Sequence, residues 1–296
     1  MLRKGLETWL AKLLGTPAAS DDYRLPAGAP ALLAPDSVSW QIFKNPVTVF
    51  IGGVAAVVLE LAEPRVRTGV WQFTSFRDQP LARLRHTGAA AMLTVYGPRP
   101  RAEAMIAGVV RRHARIHGVT PDGQPFHAND PELLEWVHAT ASFGFLQAYH
   151  RYAQALGRAD CDRFCAEGKP IAARYGAADA PDSLAALDAL IERTAPTLQR
   201  SAIVFEFLHI ACRMPALPRP LRPLQALLVK AAVALLSPAL QQRLGLDAPA
   251  WQLRRWQHAL VRVLAGAADR LILRTHPAVQ ASRRLGLPDA HLYRRP

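Results

Sequence analysis

The sequence predicts an all-α protein, built as one large domain of many helices around an apolar interior. Three observations support this prediction. Apolar residues recur with the 3.6-residue period of an amphipathic helix in nearly every segment. No segment alternates apolar and polar residues for more than a few positions, as a half-buried strand does. Several segments also carry the residues that typically begin or end a helix.

The first 36 residues are expected to form a separate segment ahead of a helical domain over residues 37–296. One face of a predicted N-terminal helix carries Leu2, Leu6, Leu10, Leu13 and Leu14, and the basic residues lie outside this face. This pattern indicates either a weak anchor on a membrane surface or a helix docked on the domain. Residues 17–35 are rich in Pro, Ala and Gly, which indicates a linker or an extended arm.

Two stretches are apolar enough to be tested as membrane spans, residues 46–59 and residues 221–236. The first is shorter than the roughly 20 residues that a helix needs to cross a bilayer. The second contains Arg222 and Lys230. Both are therefore predicted to be buried core helices.

Helix boundaries are predicted at several positions in the domain. Asp130 and Pro131 supply an N-cap and a first-turn proline for a long helix, in which Gly144 indicates a tight contact. Further helices are expected to begin after Ser183 and at Pro223, the latter continuing towards Arg243, with the prolines between Met214 and Arg222 marking a surface crossing.

The formal net charge is +13, from 36 basic and 23 acidic residues. Only five of the basic residues are lysines, and the arginines are scattered singly or in pairs along the whole chain. The chain lacks the basic runs interleaved with aromatic residues that are typical of nucleic-acid binding. We therefore expect no nucleic-acid partner, whereas an anionic membrane surface is a plausible partner for this charge.

The three cysteines are too few for a disulfide framework, which indicates a reducing compartment and a cytoplasmic location. Cys161 and Cys165 are four residues apart and would share a helical face. No second pair of Cys or His residues lies nearby to complete a zinc site. We expect free cysteines that pack as small apolar groups.

Two histidines lie on the apolar stripe of a helix predicted within residues 101–118. The stripe includes Ile106 and Val110. His113 and His117 continue it at spacings of three and four residues, which places both imidazoles on the inward face. A neutral, inward imidazole beside an apolar cavity is a common axial ligand of haem iron. A buried histidine is more often a hydrogen-bonded core residue, so both interpretations are open at this point.

A second group of polar residues lies upstream, on the preceding predicted helix. Arg83 and Thr87 are four residues apart and share a face, which suits a propionate or a bound oxygen species. The alternative for Arg83 is a solvent-facing ion pair. His86 lies beside Thr87. Farther upstream, Glu60 and Glu63 are candidates for a base near a pocket, or for capping and pairing with arginines.

A series of short motifs runs through the first half of the chain. They are Trp40, Glu60-Leu61-Ala62-Glu63-Pro64, Gly69-Val70, Pro80-Leu81-Ala82-Arg83-Leu84-Arg85-His86-Thr87, Val110-Arg111-Arg112-His113-Ala114-Arg115-Ile116-His117-Gly118 and, longest, the run from Asp122 to Ala139. In this order the motifs resemble the latex-clearing protein and mycophenolic-acid oxygenase family. The resemblance covers residues 40–156 well and the C-terminal half more loosely.

This resemblance implies an all-helical fold that holds haem b, with His113 as the axial ligand of the iron. His117, four residues on, is the alternative ligand. The resemblance also implies that Arg83 and Thr87 lie near the haem. Members of the family that act on rubber cleave isoprenoid double bonds with dioxygen, and fungal relatives shorten a farnesyl-type chain.

The chain departs from the rubber-cleaving members at two places. Those members carry a lysine just before the threonine, where this chain has His86. Their acidic base has no certain counterpart, because neither Glu60 nor Glu63 falls at a convincing distance along the sequence. We therefore expect a smaller lipid, terpenoid or quinone-like substrate rather than polyisoprene.

The sequence thus predicts a haem b-dependent oxygenase that acts with dioxygen on an isoprenoid or another unsaturated apolar substrate. Arg83, His86 and Thr87 are the candidate catalytic residues. Arg83, His113 and His117 are the candidate cofactor-binding residues, with His113 on the iron. The alternative function is a non-catalytic, lipid-binding protein of the same fold that lies at a membrane surface.

Overall fold

The computed structural model describes residues 23–74, 79–214 and 222–293. In these residues the chain forms thirteen α-helices and one short hairpin, which confirms the predicted all-α single domain. The helices are α1 (Val38–Phe43), α2 (Pro46–Ala62), α3 (Pro64–Phe73), α4 (Pro80–Tyr96), α5 (Arg99–His113), α6 (Pro131–Tyr152), α7 (Arg158–Tyr175), α8 (Leu184–Thr194), α9 (Ala202–Arg213), α10 (Arg222–Val233), α11 (Pro238–Leu244), α12 (Arg255–Arg270) and α13 (Pro277–Arg284). Strands β1 (His117–Val119) and β2 (Pro125–His127) pair antiparallel between α5 and α6.

The centre of the domain is the crossing of α2 and α6, which make the most extensive contact between helices of the described chain. Gly52 and Gly144 meet at this crossing. A Cβ atom added at Gly52 would lie 2.6 Å from the Gly144 carbonyl oxygen, so the two backbones touch and leave no room for a side chain. The close approach predicted for Gly144 is confirmed. Leu59 and Leu146 are completely buried beside it, as expected for core helices.

Residues 23–36 form an arm that packs on the domain. Tyr23 and Leu33 are buried in the core. The buried guanidinium of Arg284, on α13, donates to the carbonyl oxygens of Tyr23 at 2.7 Å and Ala29 at 2.8 Å. Ser37 then caps the first turn of α1. The leucine stripe predicted for the N-terminal helix lies outside the described residues, and its membrane contact stays a prediction.

The helix predicted through His117 ends earlier than expected. Helix α5 ends at His113, and His117 lies in β1, where it pairs with His127. The loop between the strands is closed by hydrogen bonds between Thr120 and Gln124. The prediction that His113 and His117 share one helical face is therefore wrong. A spacing of four residues fits a helix, but it does not exclude a chain that leaves the helix between the two residues.

The helix predicted from Pro223 to Arg243 is divided into α10 and α11. Helix α10 begins one residue earlier, at Arg222, and ends at Val233. Pro238 begins α11, because proline cannot donate a backbone hydrogen bond to the preceding turn, and Ser237 caps the new helix. The proline-rich crossing predicted before α10 lies mostly outside the described residues.

No single helix among the described residues is both long and apolar enough to span a membrane. Two pairs of consecutive helices pass that test together, α2 with α3 and α10 with α11, and each pair is bent by more than 100°. Most of α2 and α10 is buried inside the domain, as predicted for core helices.

Candidate functional site

Glu60 lies in the last turn of α2, opposite α6. The Thr140 hydroxyl lies 3.5 Å from Glu60 Oε1, but its single proton has a nearer acceptor, the Val137 carbonyl oxygen at 2.8 Å. The carboxyl group is thus weakly hydrogen-bonded for its depth in the protein. Burial raises the pKa of Glu60 to about 7, against the opposing effect of the positive charge of Arg83. Glu60 can therefore exchange a proton near neutral pH, as a general acid or base does.

Arg83 lies in the first turns of α4 and is partly buried. Its guanidinium donates to Thr87 Oγ1 at 2.8 Å, and the Thr87 hydroxyl donates back to the Arg83 carbonyl oxygen at 3.0 Å. The prediction that Arg83 and Thr87 lie on one face of a helix is confirmed. Burial lowers the pKa of Arg83, the charge of Glu60 raises it, and the charge of Arg112 lowers it further. Glu60 acts on Arg83 through space, since no hydrogen bond joins the two side chains.

His113 is the last residue of α5 and is half-buried. Its Nδ1 atom is enclosed and has no hydrogen-bond partner among the described residues. Burial lowers the pKa of His113, and the positive charges of Arg83 and Arg112 lower it further. The imidazole is therefore neutral at physiological pH. A neutral imidazole is chemically able to bind a metal through a ring nitrogen that is not enclosed, which here is Nε2.

Glu60, Arg83, Thr87 and His113 together form what we call the candidate site. They come from α2, α4 and α5, and Arg83 connects them because its charge influences both Glu60 and His113. All four residues were candidates from the sequence, where Glu60 was expected either to act as a base near a pocket or to cap and pair with arginines. Its closeness to Arg83 depends on the tertiary packing of separate helices. The spacing of residues along the sequence gives no information on that packing.

His86 lies on α4 in the turn between Arg83 and Thr87, but its side chain is exposed. Within the described chain, no hydrogen bond joins the His86 side chain to a residue of the candidate site. The Thr87 side chain is exposed as well, although it is held by Arg83. The structure thus places His86 at the solvent side of the site.

His117 is exposed on β1, and its ring is parallel to that of His127, with the ring centres 6.4 Å apart. His127 Nδ1 accepts from the Asn129 backbone N–H at 3.1 Å, and Nε2 lies 3.3 Å from the Ala114 carbonyl oxygen. Both nitrogens of His127 thus have partners when Nδ1 accepts and Nε2 donates. His127 also contributes to the lowered pKa of His113. In the sequence His127 is part of the run from Asp122 to Ala139, and its nearness to His113 arises from the hairpin, which was not predicted.

Glu63 has a different role from Glu60. Its carboxylate accepts from the Val66 backbone N–H at 2.7 Å, at the N-terminus of α3. The other oxygen pairs with Arg65 at 2.9 Å, and Arg65 also pairs with Glu132 at 3.1 Å. Of the two roles that the sequence left open, Glu63 has the capping and pairing role.

His138 is a further histidine in the interior, on the side of α6 that packs against α7. Its Nε2 lies 3.3 Å from Ser142 Oγ, and burial lowers its pKa to about 4. A Cβ atom at Gly168 would come within 3.2 Å of the ring, so the imidazole lies tightly against α7. This arrangement is typical of a neutral core histidine.

Within residues 23–74, 79–214 and 222–293, no group of three His, Cys, Asp or Glu side chains is arranged to hold a metal ion. Cys161 and Cys165 are buried and free. Burial raises the pKa of the Cys165 thiol to about 12, so this thiol is protonated at neutral pH. Both cysteines are packed free thiols, as predicted.

Comparison with protein families gives a match over most of the chain. The family described as "ER-bound oxygenase mpaB/B'/Rubber oxygenase, catalytic domain" matches residues 40–269. Neither the curated proteins nor the solved structures gave a significant match. The matched region includes all residues of the candidate site. The chain therefore belongs to the mpaB and rubber oxygenase catalytic-domain family.

Proposed function

We propose that this protein is a haem b-dependent oxygenase that acts with dioxygen on an isoprenoid or another unsaturated apolar substrate. Membership of an oxygenase family supports the reaction class. The observation that carries the haem assignment is His113. Its imidazole is neutral and half-buried, and its Nδ1 is enclosed without a partner among the described residues. Because Nδ1 is enclosed, the nitrogen that a ligand can reach is Nε2, which also has no hydrogen-bond partner among the described residues.

The charges around His113 suit haem b. Arg83 and Arg112 both lower the pKa of His113, so this part of the site is positive. Haem b carries two carboxylates, its propionates, and a partly desolvated guanidinium is a strong partner for a carboxylate. A haem iron takes a single histidine as its proximal ligand in many proteins, so no cluster of three protein ligands is needed. The residues present therefore fit the group.

Each residue of the candidate site, and His86 beside it, has a proposed role. When bound, the haem supplies the chemistry of dioxygen, while the protein supplies ligation, polarity and access. His113 holds the iron, and Arg83 holds a propionate or orients the polar side of the pocket. Thr87 fixes the guanidinium of Arg83. Glu60 takes up or releases a proton near neutral pH. His86, at the exposed side, is the proposed acid or base that exchanges protons with solvent.

The haem assignment is tested by haem content and absorbance of purified protein produced with haem supplied. The pyridine haemochrome should identify haem b. The Soret band should persist in the wild type and in His117→Ala and be lost in His113→Ala. His117→Ala is the matched control, because this histidine is exposed on β1. Loss of haem in His117→Ala alone would show that His117, on β1, is the iron ligand. A wild type that takes up no haem would refute the proposal.

A second candidate function is a non-catalytic lipid-binding protein of the same fold. It is favoured by the exposed position of His86. With His86 exposed, α4 offers no buried base beside Thr87. This function predicts that lipid co-purifies with the protein and that haem is absent after reconstitution. Extraction of the purified protein with organic solvent, followed by mass spectrometry, would detect the lipid.

A further inference from the structure

Helix α12 presents an apolar row to solvent. Its inner side is completely buried through Val261 and Ala265. On the opposite side, Trp256 is 60% exposed and Val263 is 66% exposed. These two residues are seven apart and therefore lie on one face, two turns from each other. Exposed Ala267 extends the same row by one more turn.

Arginines accompany this row. Arg255, Arg262 and Arg270 are all exposed on α12. None of them forms an ion pair with a carboxylate in the described parts of the chain. The acidic residue of α12 is Asp269, which is turned inward and pairs with Lys44 at 3.3 Å. The exposed face of α12 is thus both apolar and positively charged, with no acidic side chain of its own.

We propose that this α12 face binds an anionic lipid bilayer, with the helix lying in the plane of the membrane surface. A tryptophan and an exposed valine can enter the boundary between headgroups and acyl chains. Arginines beside them can keep their charge among the anionic headgroups while their aliphatic stems lie along the apolar row. The proposal is independent of the candidate site, because no residue of α12 belongs to it.

The charges favour a membrane over two other occupants. In a symmetric dimer the α12 face would meet its own copy, so arginines would face arginines. The N-terminal leucine stripe carries Arg3, Lys4 and Lys12 beside it, which would repel the arginines of α12. An anionic bilayer offers the opposite charge together with an apolar interior.

The test is co-sedimentation of the full-length protein with vesicles of phosphatidylcholine, with and without phosphatidylserine. The wild type should bind the vesicles that contain phosphatidylserine, and binding should weaken as salt is added. Val263→Asp should weaken this binding about tenfold, because a charge replaces an apolar contact. Val119→Asp is the matched control, since Val119 is 57% exposed on β1. It should bind as the wild type does.

The charged part of the face is tested by a second pair of variants. Arg255→Gln with Arg262→Gln should weaken binding by about fivefold for each arginine. Arg193→Gln with Arg213→Gln changes the net charge equally, at exposed positions on α8 and α9, and should have little effect. Circular dichroism of each variant checks that the fold is retained.

Four results would overturn the proposal. The first is a wild type that binds no anionic vesicles, and the second is a loss of binding in the control variants as large as in the α12 variants. Binding could also be lost in Leu6→Asp and kept in the α12 variants, which would assign it to the N-terminal segment. Finally, sedimentation velocity without lipid could show a wild-type dimer that Val263→Asp dissociates, which would make this face an interface between two copies.

Discussion

A group of polar side chains lies at each end of α2. The group at the N-terminal end is largely buried and all its members are hydrogen-bonded, whereas the group at the C-terminal end is only partly buried. At the N-terminal end, Asp269 accepts from Asn45 Nδ2 at 3.2 Å and from the Tyr149 hydroxyl at 3.3 Å, and it pairs with Lys44 Nζ at 3.3 Å. Lys44 also donates to the Leu292 carbonyl oxygen at 2.8 Å. We call Lys44, Asn45, Tyr149 and Asp269 the Asp269 cluster.

At the C-terminal end of α2, the candidate site leaves its polar groups poorly satisfied. The nearest hydroxyl to Glu60 lies 3.5 Å away and donates elsewhere. His113 Nδ1 has no partner among the described residues. Proteins rarely bury polar atoms in this way without a reason. The Asp269 cluster therefore stabilises the fold by itself, whereas the polar groups of the candidate site would gain partners from the cofactor that we propose.

The largest effect is expected from Lys44→Ala in the Asp269 cluster. This change leaves the carboxylate of Asp269, which is only 14% exposed, without its cation. Removing one partner of a buried ion pair typically costs about 3 kcal/mol or more. We expect the free energy of unfolding in urea to fall by about 3 kcal/mol.

The matched change in the candidate site is Arg83→Ala, which should cost less than about 1 kcal/mol, because Arg83 has no hydrogen-bonded carboxylate to leave behind. Equal losses in the two variants would show that the two ends of α2 do not differ as we argue.

The next largest effect concerns the pH dependence of stability. The pKa of Glu60 is about 7 in the folded protein against an ordinary value of 4.5, so the folded state binds the proton more tightly. This contribution to stability is present at low pH and is lost as the pH rises through 7. From pH 5 to pH 8 we expect a loss of about 2 kcal/mol, allowing for partial solvent screening. In Glu60→Gln this part of the pH dependence should disappear, and an unchanged pH profile would contradict the burial of an ionisable Glu60.

Much of the fold could be predicted because helix signals are local. Asp130, Pro131 and Ser183 mark helix starts that the structure contains, and Gly144 marks the close crossing of α2 and α6. Each signal depends on residues within a few positions of it. The break before Pro238 could also have been found, because Ser237 and Pro238 form an N-cap and first-turn pair.

The candidate site was only partly predictable, because its residues meet through tertiary contacts. Arg83 and Thr87 could be paired from their spacing, since both lie on α4. The distance along the sequence between Glu60 and Arg83 says nothing of their proximity, which depends on the packing of separate helices. His117 was placed wrongly, because its pairing with His127 is a contact across a hairpin.

Glu60 and Glu63 belong to the same motif but should differ in their effect on stability and on haem content. Glu63→Ala removes the side-chain cap of α3 and the partner of Arg65, which should cost about 1 to 2 kcal/mol. Haem content should be unchanged, because this carboxylate is used within the fold. Thermal unfolding and the haemochrome assay measure the two quantities separately. A loss of haem with unchanged stability would instead place Glu63 in the candidate site.

The smallest effect is expected from Thr87→Val, which keeps the shape of the side chain and removes its hydroxyl. Arg83 then loses the acceptor at 2.8 Å that fixes its guanidinium, at a position open to solvent. A hydrogen bond of this kind contributes about 0.5 to 1 kcal/mol, so haem affinity should fall by about threefold in a titration of the apoprotein. Thr94→Val is the control on the same helix, because the Thr94 hydroxyl donates to the Ala90 carbonyl oxygen. If both variants weaken haem binding equally, the effect comes from α4 as a whole, and Thr87 has no particular role in positioning Arg83.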